Sequence, residues 1–111
     1  MSIFLDTAMN KNRKFAIGRM NNIDLRLLRI YKTVVECGGF SAAEASLNIS
    51  GAAISIAMND LETRLGLRLC HRGRSGFSVT DEGKKAYDST CKLLESIEQF
   101  RTEIYEIHNH L

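Results

Sequence analysis

The chain has 111 residues, 44% hydrophobic and 25% charged, with no proline, no tryptophan and a formal net charge of +2. That length holds one modest domain and not two, the balance is that of a soluble globular fold rather than a disordered one, and a chain without proline favours long unbroken helices. No window approaches the roughly 18 apolar residues of a membrane span, residues 1–22 lack a secretory core, and three cysteines without a CxxC form no disulfide framework, so a reducing cytoplasm is the expected setting.

The charge is unevenly placed. Residues 1–79 carry 11 Lys and Arg against 6 Asp and Glu, whereas residues 80–111 carry 4 against 7. A basic body with an acidic tail suits a chain that meets a polyanion with one part and protein with another.

Residues 1–22 read as a basic, flexible arm in which Lys11, Arg13, Lys14 and Arg19 face Asp6 alone, and Met20 offers an alternative start. A first helix is predicted from Asp24 to Cys37, capped by Asp24 and ended by Gly38-Gly39. Leu27, Leu28, Tyr31, Val34 and Val35 form its apolar face, with Arg26, Arg29 and Glu36 opposite.

A short second helix is expected to start at Ser41. Ser41-Ala42-Ala43-Glu44 fits a capping box, with Phe40 and Ala45 in staple positions. It ends near Leu47-Asn48, and Ile49 turns inward. A third helix opens at the capping residue Ser50 and runs to Leu65-Gly66. Ile54, Met58, Leu61 and Leu65 are its buried stripe, and Ala53 is expected to pack between helices.

The opposite face carries Gly51, Ala52, Ser55, Ile56 and Asn59. It is small and almost uncharged, whereas a solvated helix face usually carries Lys and Glu. Such a face suits close approach to another surface. Two helices joined by a short turn make a helix-turn-helix pattern.

Leu67–Arg72 and Phe77–Val79 alternate as strands around Gly73-Arg74-Ser75-Gly76, giving a β-hairpin with a basic tip, a wing. The last helix is capped by Thr80, with Asp81 and Glu82 suiting its dipole. Ala86, Thr90, Leu93, Ile97, Phe100, Ile104, Ile107 and Leu111 alternate in steps of four and three, an a/d register over nearly four heptads. So narrow a stripe wants a partner helix, most simply from a second copy.

These residues resemble one family. Leu28, Gly39-Phe40-Ser41, Ala43, Leu47, Ile49-Ser50, Ala53-Ile54-Ser55, Leu61-Glu62, Leu65-Gly66, Leu69, Arg72, Thr80 and Gly83 are similar, in order and spacing, to the N-terminal DNA-binding domain of LysR-type transcriptional regulators. The resemblance implies a mainly α fold. It comprises a winged helix-turn-helix of three helices and a β-hairpin over residues 23–79, followed by a linker and dimerisation helix over 80–111. Family members usually continue into an effector-binding domain, so a small-molecule effector is expected only where such a domain follows, and a tetramer only in a full-length form. The chain reads as a DNA-binding fragment or a natural truncation.

Four places in the chain depart from the family's common form. Gly51-Ala52 replaces Gln-Pro, Ile56-Ala57 replaces a basic or amide pair, Ala43-Glu44 replaces paired alanines, and Cys70 replaces phenylalanine.

Double-stranded DNA is the expected partner, with the third helix in the major groove. Ser41 and Ser50, the latter with the free amides that follow it, are phosphate or groove contacts as well as caps. Ser55 can bond a base edge or a phosphate. Gly51, Ala52 and Ile56 allow close approach, the last two touching thymine methyls, and Asn59 has the reach for bidentate reading of adenine. Each has a plain alternative as a surface or capping residue. Arg72 and Arg74 on the wing can reach phosphates or a narrow minor groove, whereas Arg64 and Arg68 suit surface ion pairs or backbone contacts. The reading face holds no arginine or lysine, so A·T-leaning, inverted-repeat sites are expected, bound by a homodimer paired through Ala86, Leu93, Ile97, Phe100, Ile104 and Ile107.

Cys70-His71, Cys91 and His108-Asn109-His110 are too scattered for a zinc site, so no metal or cofactor is expected. A protein-interaction module forming inactive heterodimers through the heptad helix is the competing class. No phosphate loop, nucleophile elbow or paired catalytic carboxylates suggest an enzyme. A bacterial cytoplasmic, nucleoid-associated location accompanies this reading.

Overall fold

The computed structural model describes residues 24–110. The basic arm expected over 1–22, and Leu111 of the heptad stripe, lie outside the described residues. The order is α1 (Leu25–Cys37), α2 (Phe40–Leu47), α3 (Gly51–Leu65), β1 (Cys70–His71), β2 (Ser78–Val79) and α4 (Asp81–Asn109).

Local chemistry sets most boundaries. Asp24 caps α1 by accepting from the Arg26 amide at 2.9 Å, and Gly38, at φ 85°, closes it in the left-handed conformation that glycine adopts without strain. Asn48 makes the corresponding left-handed turn between α2 and α3 at φ 57°. Ser50 caps α3 through the Ala53 amide at 3.1 Å. Thr80 caps α4 through the Gly83 amide at 2.8 Å, and its hydroxyl also donates to the Arg68 carbonyl at 2.6 Å.

The second helix departs from expectation. It begins at Phe40, with Gly39 at its cap position and no side-chain cap. Ser41 therefore lies inside the first turn, and the Ser41–Glu44 capping box does not form. Phe40 packs against the core and lies 6.1 Å from the Phe77 ring.

The core of the head is Leu27, Leu28, Ile30, Tyr31 and Val34 of α1, Ala43 of α2, Ile54, Ala57, Met58 and Leu61 of α3, and Leu69 and Cys70. Leu65 is only half-buried at its edge. Burial pushes the Cys70 thiol above its ordinary pKa, which leaves it a small core hydrophobe.

The wing is shorter than the alternation suggested. Cys70 pairs with Val79 and His71 with Ser78, antiparallel, and the strands stop there. Upstream, the Glu62 carboxylate of α3 takes the amides of Leu69 at 2.7 Å and Cys70 at 3.3 Å, which staples the start of the wing to the third helix. Among the described residues no helix is long and apolar enough to cross a membrane.

Candidate nucleic-acid interface

The apolar stripe of α3 points inward, which turns Gly51, Ala52, Ser55, Ile56 and Asn59 outward or to the rim. Ala52, Ile56 and Asn59 are exposed, while Gly51 and Ser55 are half-buried. Ala53, expected between helices, is exposed as well, while its neighbour Ile54 takes the buried position. Ile56 is 70% exposed, a branched aliphatic side chain held out into solvent from a rigid helix. No lysine or arginine lies on α3 before Arg64, and that residue pairs with Asp60 at 2.9 Å.

Asn59 and Arg72 are not independent. The Arg72 guanidinium donates to Asn59 Oδ1 at 3.0 Å and lies over the Phe40 ring, 4.7 Å from its centre. A guanidinium only donates, so the amide must turn its oxygen toward Arg72. One of the two lone pairs of Asn59 Oδ1 is thus taken by Arg72, and the exposed amide keeps its NH₂ and the second lone pair for a base edge. Arg72 likewise lies across the joint between wing and recognition helix rather than at the wing's tip. The platform beneath it, Phe40 on Phe77, was not legible in the sequence, because the partners are 37 residues apart and share no local pattern.

A notch of about 420 Å³ opens between the start of α2 and the wing, lined by Gly39, Phe40, Ser41, Ala42, Arg72 and Gly73 among others. Ser41, freed from capping, borders it on the same side as Arg72. Arg74 stands exposed at the turn, which the Gly76 amide closes onto the Gly73 carbonyl at 2.9 Å. The two wing arginines thus differ, one braced and one free to reach.

The tail helix divides into two parts. Ala86 packs against the head's core and Thr90 and Leu94 are buried, so the first turns of the predicted stripe are spent within the chain. The run of apolar positions beyond them is largely open: Leu93 is exposed, Phe100 is 60% and Ile107 58% exposed, with Ile104 exposed between them and Ile97 half-buried. Near the junction, the Tyr87 hydroxyl donates to Glu36 at 2.6 Å, and Lys32 holds the same carboxylate at 2.7 Å. Those two donors, Lys32 first, hold the Glu36 carboxyl below the usual carboxylate range. Among the described residues no three of His, Cys, Asp or Glu converge as a metal site.

Residues 25–84 match the model of the bacterial regulatory helix-turn-helix proteins of the lysR family. The chain belongs to this family. It is 54% identical over 103 residues to the HTH-type transcriptional activator BauR of Pseudomonas aeruginosa, which covers 93% of this chain and 34% of that protein. It is 33% identical over 86 residues to the SDS degradation transcriptional activation protein of a Pseudomonas species, covering 78% and 28%.

Among solved structures, the BenM DNA-binding domain in complex with catB site 1 DNA superposes with a TM-score of 0.74 at 32% identity, over 78% of this chain and 94% of that one. The DNA complex of the CbnR DNA-binding domain gives 0.73 at 26% identity, over 77% and 98%. The chain spans about a third of the length of the curated relatives it matches. It carries a LysR-type winged helix-turn-helix, a DNA-binding domain.

Proposed function

We propose that two copies of this chain bind an inverted-repeat, A·T-leaning operator, each placing α3 in the major groove of one half-site. The observation that carries this reading is the outer face of α3, small and without cations, from which Ile56 projects. The methyl groups of Ala52 and Ile56 suit thymine methyls, and a face without arginine forgoes bidentate guanine contacts. Ser41 and the Arg72 notch hold backbone phosphates, the Ser50 hydroxyl donates to a base edge, and Arg74 reaches the flanking minor groove. Ser55 and the Asn59 amide donate to base edges or phosphates.

The exposed part of the heptad stripe, from Leu93 through Ile97, Phe100 and Ile104 to Ile107, pairs the two copies and fixes the distance between the readers. Ala86, built into the head, supports the helix rather than the pairing. A longer form that continues past this chain would bind a small-molecule effector and assemble as a tetramer. Its place is the bacterial cytoplasm, at the nucleoid.

The test is selection of bound duplexes from a random pool by the purified chain. Two A·T-leaning half-sites in inverted orientation are expected, and enrichment of G·C-rich or single half-sites would overturn the reading. Arg74→Ala should lower the salt dependence by about one phosphate contact. An unchanged slope would remove Arg74 from the interface.

A further inference from the structure

Glu44 does not do what its sequence context suggests. Instead of turning back to Ser41, its carboxylate reaches forward across the Asn48 turn and packs on Gly51, the first residue of α3. Any Cβ at position 51 would run into Glu44 Oε2. Gly51 has no left-handed φ, so the backbone there does not require glycine. What glycine supplies is room for the carboxylate. Two departures from the family's common form, at 44 and at 51, therefore meet in space.

Glu44 is exposed, and among the described residues no cation pairs with it and no donor bonds its carboxylate. The α3 dipole favours a negative charge at this end, which steadies the group without using its lone pairs. The amino end of a recognition helix is the part that meets base edges. A carboxylate there only accepts, and the donors that the major groove offers are the exocyclic amines of cytosine and adenine. Phosphates would be repelled.

We propose that Glu44 is a base-reading residue of this chain, its carboxylate accepting a hydrogen bond from the exocyclic amine of cytosine or adenine in the space that Gly51 leaves open. The assignment rests on the DNA-binding reading above and deepens it. It gives each half-site one position read by charge within an otherwise apolar contact.

The experiment compares the whole 111-residue chain with Glu44→Ala and Gly51→Ala in selection from a random duplex pool, with thermal melts of all three. Wild type should fix cytosine or adenine at one position per half-site, and the base recovered tells the two amines apart. Glu44→Ala should lose about tenfold in preference at that position alone and keep the rest. It should also bind unrelated DNA more tightly, since a repelling charge is gone. Gly51→Ala, which displaces the carboxylate while keeping it, should weaken the same position.

An unchanged profile for Glu44→Ala, with melts alike, overturns the assignment while leaving the DNA reading intact. Uniform loss at every position in both variants would make Glu44 a support of the fold instead. If wild type enriches no sequence at all, the DNA reading fails and this assignment with it.

Discussion

Tyr31 is fully buried on α1 and donates to the Gly83 carbonyl of α4 at 2.6 Å, tying the head to the tail helix through one hydroxyl. Burial, and then the neighbouring Cys70 and Glu62, push its pKa up to about 12. In the unfolded chain a tyrosine ionises near pH 10. Above that pH the unfolded state gives up a proton that the folded state keeps, so this contribution is complete below pH 10 and fades as pH rises toward 12. Tyr31→Phe should cost about 1 kcal/mol at neutral pH and flatten the fall in stability over the alkaline range, read by urea titration at several pH values. Equal alkaline slopes in the two proteins would place the linkage on another group.

Single residues were legible where their role is local. Asp24, Ser50 and Thr80 cap helices because capping depends on a few neighbouring bonds. Ser41 looked like a cap for the same reason and is not one, because Phe40 gains more by joining the core and stacking under Arg72, which starts the helix a residue earlier. Asn59 and Arg72 are 13 residues apart, and no spacing rule announces their bond.

The elements meet at Gly83. An added Cβ there would strike the Leu69 carbonyl, come within 2.8 Å of Val79 Cγ1 and within 2.9 Å of the Tyr31 hydroxyl. Wing, first helix and tail helix converge on that one atom-sized gap, and backbone cannot step aside cheaply. Gly83→Ala should therefore destabilise the head by about 2 kcal/mol despite alanine's better helix propensity, lowering Tm by roughly 10 °C in a domain this small. An unchanged melt would mean that the junction is loose. Helix periods were readable because α1, α3 and α4 each bury one face. The strands were overextended in prediction because alternation cannot reveal that Glu62 takes the amides at the wing's start.

For the molecule as a whole, α4 divides in two: its first turns belong to the head, and its last turns leave Phe100, Ile104 and Ile107 exposed. The heptad register announced the helix but not this division, since Ala86 and Thr90 fit the same spacing as Phe100 and Ile104. Phe100→Lys should leave the head's melt intact and make the chain monomeric in sedimentation. Specific binding to an inverted repeat should then fall to that of a single half-site. A dimer that survives the lysine would move the pairing surface elsewhere.

The outer face of α3 can be tested without disturbing the core, because Ile56 is 70% exposed and lies outside the buried cluster. The measurement is the affinity of wild type and Ile56→Asp for the same selected duplex, by fluorescence anisotropy at one salt concentration, beside their melts. Loss of at least about tenfold in affinity with melts unchanged is what a groove-facing α3 predicts. Equal affinity would show that DNA never reaches that face.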